Sequence, residues 1–451
     1  MKLYDTLRGQ VNDFDSPNGL VRMYVCGITP YSSSHIGHAM SAVTFDAVRR
    51  YLEFRGFKVR HIQNFTDIDD KMIAAANESN VPVSELAEAN IDEYVSAMSE
   101  LNVAPAHEYP RATREIEKIV EIIQSLIDKE YAYDVEGDVY FRVRRDEDYG
   151  KLSHRSVDDL LSGARIEIDE RKEDVLDFAL WKSQKPGEPA WDSPWGKGRP
   201  GWHIECSAMS IKYLGETIDI HGGGEDLVFP HHENEIAQSE SYTDQVPFSR
   251  FWLHNGMLRL GSEKMSKSLG NIISLPEALD SYDPQALRLF FLSSHYRSPL
   301  FYSEESVRSQ ERAIQRLRQA VSVPSEDGPQ LDASGYRERF IEAMDDDLNT
   351  PRALAALFDL VREINRGRER GEDIAEAQDI LRELAGVLGL TLEEPQANGA
   401  EAAPFIQTLV DVRAELRSAR QFQLADNIRD RLTELGVSLE DSPEGTSWRL
   451  G

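Results

Sequence analysis

His35-Ile36-Gly37-His38 places two imidazoles around a glycine, between a strand-like run and a helix-like run. Main-chain amides and the helix dipole favour an anion at such a junction, and glycine lets the backbone approach it closely. The imidazoles add donors for phosphate oxygens. About 230 residues later, Lys264-Met265-Ser266-Lys267-Ser268 lies in a loop bounded by Gly261 and by Gly270-Asn271. Two ammonium groups on such a loop offset charge that moves onto a leaving pyrophosphate, a gain realised in the transition state. Taken singly, the first segment reads equally as a turn with satisfied histidines and the second as a solvated basic loop. In this order and together, they point to chemistry on a nucleoside triphosphate.

A second constellation is metal-like. In His231-His232-Glu233-Asn234-Glu235, His231 and Glu235 stand at i, i+4 and His232 and Glu235 at i, i+3, so either histidine can share a helical face with the carboxylate. The chain has two cysteines, Cys26 and Cys206. Adding both gives four S, N and O donors, a set that suits tetrahedral zinc. The bland alternative is two inert buried thiols and an acidic helix, since no Cys-x-x-Cys brings ligands together locally. Spacing does not choose between His231 and His232.

These residues need a scaffold. Val21 to Gly27 and Val59 to Ile68 read as strands, and Ala39 to Phe54 between them as a helix. Strand, loop, helix, strand is the opening unit of a parallel α/β sheet of Rossmann type. Thr217 to Ile220 predicts a later strand before Gly222-Gly223-Gly224, and Pro230 precedes a helix that starts near His231 or His232. Strand C-terminal ends gather at one crevice in such a sheet, so Cys26, Cys206 and the histidines can converge beside the phosphate loop. Between the two sheet portions, Ile116, Ile119, Val120, Ile123, Leu126 and Ile127 predict a helix and Val139 to Val143 a strand. Trp181 to Trp202, rich in Trp, Pro and Gly, reads as an ordered loop. Beyond Leu300 the pattern is helical, with a linker over Ser322 to Ser334 and helices over Leu348 to Ile364 and Ile380 to Leu388. A flexible linker is expected over Glu393 to Pro404. A small module follows from Phe405 to Gly451, with a helix, a second helix over Leu424 to Leu435 and short extended segments.

The 451 residues allow about three domains, and 40% hydrophobic with 29% charged residues excludes wholesale disorder. The first ten residues lack the apolar core of a signal peptide, and no apolar run is long enough to span a bilayer, so a soluble, cytoplasmic protein is expected. A net charge of −29 speaks against a generic nucleic-acid binder and requires any such partner to meet locally grouped cations. Arg308, Arg312 and Arg316 form one candidate stripe, and Arg413, Arg417 and Arg420 another.

The pair of nucleotide signatures resembles that of class I aminoacyl-tRNA synthetases, and the whole set is similar to the cysteinyl-tRNA synthetase family. The matching stretches are Met23 to Thr29, Asn64 to Lys71, Gly201 to Met209, His221 to Gly224 and Phe229 to Glu235. The resemblance runs over nearly the whole chain, most strongly through Pro299. It implies an α/β fold: a Rossmann-type parallel-sheet catalytic domain in two halves (1–105 and 201–255) with an insertion (106–200). A loop and stem-contact region (256–322), a helical tRNA-binding domain (323–392) and a C-terminal anticodon-binding module (405–451) follow. It implies one Zn²⁺ per chain on Cys26, Cys206, His231 and Glu235, leaving out His232. It further implies ATP with Mg²⁺ at His35, Gly37, His38, Asp226, Lys264 and Lys267, with the two histidines and two lysines catalytic. Thr29, Trp202 and His221 then line the amino-acid pocket, and Trp448 and Arg449 contact unpaired bases. The implied partners are tRNA(Cys), L-cysteine and ATP, for a monomer without a membrane. Two rivals share part of this pattern: a cysteine ligase that forms an amide with an amino sugar, and a catalytically silent binding module. The separate end module argues against the first, and two intact phosphate signatures argue against the second.

Overall fold

The computed structural model describes residues 1–157, 170–260, 263–264, 273–393, 399–442 and 445–450. They form two compact units, Met1–Leu392 and Glu393–Gly451. At the centre of the first lies a four-stranded sheet in the order Ser249–Asn255, Ile218–Gly224, Leu20–Ile28, Lys58–Phe65, with every pair parallel. From Leu20–Ile28 the chain crosses through the helix Ile36–Phe54 to Lys58–Phe65 on one side. The strand on its other side, Ile218–Gly224, comes much later in sequence. Strand order therefore reverses at this pair, and a crevice opens beyond their C-terminal ends. Cys26, the phosphate loop and Gly222-Gly223-Gly224 all sit at those ends.

The two-residue period of the central strand decides which side chain goes where. Met23 and Val25 join the core packed against the Ile36–Phe54 helix, with Val43, Phe45 and Ile220. Tyr24 and Cys26 point to the opposite core, with Ile204, Cys206, Ile218 and Trp252. Two cysteines 180 residues apart thus share one face of the sheet. Gly222 is needed because a Cβ there would lie 2.2 Å from Cε1 of Phe45, the residue that seats the helix on the sheet. Gly222→Ala is expected to destabilise the unit by about 1–3 kcal/mol through this overpacking, read as a lower thermal midpoint; an unchanged midpoint would show that Phe45 yields freely.

His61, in Lys58–Phe65, is buried with neither ring nitrogen hydrogen-bonded, and burial pushes its pKa down to about 3. Below the ordinary value near 6.5 the unfolded chain takes up a proton that the folded chain refuses. Stability is therefore lost as pH falls from about 6.5 toward 3, by up to roughly 4 kcal/mol. His61→Leu should flatten the pH dependence of denaturant unfolding between pH 6.5 and 4 by nearly one proton, and equal slopes for both proteins would refute the assignment.

The insertion holds the helix Ile116–Asp128 and an antiparallel sheet in the order Ala132–Val135, Asp138–Phe141, Phe178–Ser183, Gly198–Pro200. The expected loop over Trp181 to Trp202 is corrected here: its two ends are strands. Gly198 is one reason they can pair, since a Cβ there would lie 2.3 Å from the Lys182 carbonyl oxygen. Beyond Leu300–Tyr302 come the helices Glu304–Ser322, Ser334–Asp345, Thr350–Glu369 and Ala375–Val387.

A buried ion pair ties this helical part to the sheet. Arg288, in Pro284–Leu292, is wholly buried and pairs with the buried Asp46 of the Ile36–Phe54 helix. It also donates to the carbonyls of Leu388 at 2.7 Å and Leu101 at 3.0 Å. Arg50 reaches the same carboxylate at 2.7 Å.

The second unit contains the helices Gly399–Ser418 and Phe422–Glu434 and the hairpin Val437–Ser442 with Gly445–Leu450. The linker expected to run to Pro404 is shorter, because the helix already begins at Gly399; the Ala400 to Ala403 run favours helix strongly enough to carry Pro404 inside it. Arg413 is fully buried and donates to Thr446 Oγ1 at 3.3 Å, whereas Arg417 and Arg420 are exposed, so these three do not form one phosphate-facing stripe. Trp448 is half-buried against the small core and donates to Gln407 Oε1 at 3.1 Å. In the first unit Arg316 packs over the Phe358 ring and Arg308 over Tyr282.

Candidate active site

His35 caps the Ile36–Phe54 helix: its Nδ1 accepts the Gly37 amide at 3.1 Å, and His38 Nδ1 accepts the His35 amide at 3.4 Å. With both Nδ1 atoms as acceptors, the neutral rings carry their protons on Nε2, the tautomer that donates outward. The two rings stack at 3.7 Å between centroids. A few residues past the second signature in sequence, Ile273 accepts from the Ile36 amide at 3.2 Å and Ser34 accepts from the Leu275 amide at 2.8 Å. Backbone bonds thus tie the His35 to His38 loop to Ile273 and Leu275, which follow the second signature in sequence. Lys264 lies in the short strand Glu263–Lys264. Its side chain, and all of Lys267, lie outside the described residues.

A cavity of about 450 Å³ opens at the crevice, lined by His35, Gly37, His38, Asp226, Thr29, Trp202 and Cys26. Asn255, Gly256 and Met257, which the sequence did not single out, also line it. Their signal was weak: only their position just past a strand end marks them. His221 does not line this cavity. It is fully buried, with Nε2 2.8 Å from Glu235 Oε2.

Behind the cavity wall that Cys26 forms, Cys26, Cys206, His231 and Glu235 each bring one ligand atom within 4.8 Å of all the others. The sulfurs are 3.8 Å apart, Cys26 Sγ is 3.4 Å from Glu235 Oε1, and His231 Nε2 is 3.0 Å from the same oxygen. A tetrahedron with zinc–sulfur arms of about 2.3 Å has edges of roughly 3.8 Å, so the donor set fits zinc in kind and in spacing. The cluster is also anionic. The hydrogen bond from Cys26 is the largest effect that lowers Cys206, to about 6, while burial and that neighbouring sulfur hold Cys26 well above the thiol range. Burial would lower His231, yet the charges of Cys206 and Glu235 raise it to about 10. Burial would raise Glu235, yet His221 and His231 hold it at about 2. A divalent cation would take the place of the protons on His231 and Cys26, and the donors would then offer three anionic atoms and one imidazole nitrogen.

A second group, Cys26, His221, His232 and Glu235, satisfies the same 4.8 Å limit. It contains one sulfur and leaves out the adjacent Cys206. Its His232 sits 3.9 Å from Glu235 Oε1, farther than His231 does. His203 Nδ1, 2.9 Å from His231 Nδ1, and His254 Nε2, 2.7 Å from His232 Nδ1, orient the two rings from behind. Sequence spacing gave neither supporting histidine. Because His221 holds Glu235 from its far oxygen, His221→Ala is expected to weaken metal binding by about 10- to 100-fold, measured by chelator competition. An unchanged affinity would rule out that supporting role.

Comparisons with known proteins give the family and the fold. Residues 14–312 match the family of tRNA synthetases class I (C) catalytic domain, and residues 339–393 match the DALR domain. The Mycobacterium tuberculosis methionyl-tRNA synthetase in complex with methionyl-adenylate shares the fold, with a TM-score of 0.58, 17% identity and coverage of 82% of this chain and 89% of that one. A parallel sheet reversing at the crevice, with His35 to His38 beside it and the family match over residues 14–312, defines an ATP-dependent aminoacyl-tRNA synthetase of class I. A cysteine–tRNA ligase of Dehalococcoides mccartyi is 55% identical over the full length of both chains, and that of Caldicellulosiruptor saccharolyticus 51% over 99% of each. The chain belongs to the cysteine–tRNA ligase family and is a ligase of that specificity. No helix among the described residues is long and apolar enough to cross a membrane.

Proposed function

We propose that this ligase selects L-cysteine through one zinc ion on Cys26, Cys206, His231 and Glu235, and activates it with ATP and Mg²⁺ at the His35 to His38 end of the same cavity. The observation that carries this is continuity: Cys26, a donor of the cluster, lines the cavity that His35, Gly37, His38 and Asp226 also line. Zinc bound there supplies a preference for thiolate over hydroxyl, a discrimination that an apolar pocket makes poorly.

The chain's own residues do the rest. Thr29 and Trp202 bound the amino acid, and Trp202 stacks on His231 at 4.3 Å between centroids, which fixes the aromatic wall to the metal end. The cysteine carboxylate attacks the α-phosphate, and pyrophosphate leaves. Nε2 of His35 and His38 donates to phosphate oxygens, and Lys264 and Lys267 offset the charge on the leaving group. Asp226 accepts from the ATP ribose. A ribose hydroxyl of the terminal adenosine of tRNA(Cys) then attacks the activated carbonyl, and AMP departs. Both steps depend on positioning more than on a protein nucleophile.

Cysteine-dependent exchange of pyrophosphate into ATP, with serine alongside, tests this assignment together with metal content. About one zinc per chain and exchange with cysteine alone are expected. Exchange at equal rates with serine, or full activity in protein without zinc, would overturn the zinc assignment.

A further inference from the structure

We propose that Cys26 and Cys206 also form an oxidisable pair, which hydrogen peroxide converts to a disulfide whenever the metal has left. The proposal rests on the metal assignment above. These are the only cysteines of the chain, so an intramolecular disulfide has one possible pairing. Their sulfurs are 3.8 Å apart, and the approach to the roughly 2.05 Å of a disulfide takes less than about 2 Å of movement.

The two thiols differ in access. Cys26 lines the cavity, whereas Cys206 is 1% exposed and does not. An oxidant entering through the substrate cavity therefore meets Cys26 first. The Cys26 sulfur attacks one peroxide oxygen: an S–O bond forms, the O–O bond breaks, and water leaves with the thiol proton. Cys26 is now a sulfenic acid. The Cys206 sulfur then attacks the Cys26 sulfur: an S–S bond forms, the S–O bond breaks, and a second water leaves. Two electrons pass from the two sulfurs to one peroxide. With no other thiol in the chain, Cys206 is the intramolecular resolving group. Once joined, the sulfurs have no thiolate to offer, so disulfide and metal exclude each other at the same atoms. The sulfurs that would hold the thiol-selecting metal are those that the oxidation joins.

The test uses the full-length enzyme as purified and a portion stripped with a chelator. Both are treated with hydrogen peroxide, and intact mass is read under denaturing, non-reducing conditions with released zinc measured in parallel. The stripped protein should become lighter by two hydrogens, yield one linked peptide containing Cys26 and Cys206, and take up zinc again only after a dithiol reductant. Zinc-loaded protein should keep its mass. Cys206→Ser should accumulate a Cys26 sulfenic acid that dimedone traps, and Cys26→Ser should not react. Stripped protein that gains oxygens without losing two hydrogens, or does not react, overturns the proposal and leaves the metal assignment standing. Disulfide formation at equal rates with and without zinc instead overturns the metal protection, while the pair itself stands.

Discussion

Cys206→Ser should reduce bound zinc from about one per chain to near zero and lower cysteine-dependent pyrophosphate exchange by at least about 100-fold. Loss of a residue that merely supports a ligand costs 10- to 100-fold in affinity or activity, and a ligand itself costs more. Serine is nearly isosteric, so the buried helix Trp202–Leu214 that carries Cys206 should stay folded, and an unchanged thermal midpoint of the stripped protein checks this. His232→Asn separates the two candidate donor groups. It leaves the cluster of Cys26, Cys206, His231 and Glu235 complete, so zinc should remain at about one per chain. Zinc lost from His232→Asn and retained in Cys206→Ser would place the ion on the group that contains His221.

The largest stability effect is expected at Arg288. Arg288→Met leaves the Asp46 carboxylate buried with only Arg50 as a charged partner, and removes the donor that Leu388 and Leu101 share. Breaking a buried pair on one side costs about 3–5 kcal/mol, and a shift at the upper end is unexpected because Arg50 compensates in part. The midpoint of denaturant unfolding measures it. Replacing both partners, as Arg288→Met with Asp46→Leu, should recover part of the loss, because the buried carboxylate is gone and the charge left over, that of Arg50, sits on a partly exposed side chain. Equal destabilisation by the single and double changes would mean that the carbonyl contacts, not the ion pair, hold the segments together.

Much of this architecture was legible in the chain. The strand containing Cys26, the helix after His35 and the strand before Gly222 each carry a clear apolar period, and they appear as Leu20–Ile28, Ile36–Phe54 and Ile218–Gly224. The antiparallel strands of the insertion were partly hidden. Phe178–Ser183 and Gly198–Pro200 are short and rich in Trp, Gly and Pro, and Gly198 pairs by close backbone approach, which leaves no apolar alternation to read. The four proposed metal donors were nameable, yet their separation in sequence left His231 and His232 equivalent until resemblance chose between them. In three dimensions the difference is physical: His231 stands nearer Glu235 Oε1, and both sulfurs lie in its group. His203, His254 and the buried setting of His221 were illegible, because each owes its role to a neighbour brought by tertiary packing. Arg413 failed for the same reason. Its helical spacing from Arg417 and Arg420 says nothing of the hairpin it packs beneath.

The claim that the metal selects the thiol is tested most directly by calorimetric titration of cysteine and of serine into zinc-loaded and zinc-stripped enzyme. The loaded enzyme should bind cysteine strongly in preference to serine, and stripping should abolish that preference while leaving ATP binding intact. An equal preference for cysteine in the stripped enzyme would contradict the account and return selection to the pocket walls formed by Thr29 and Trp202.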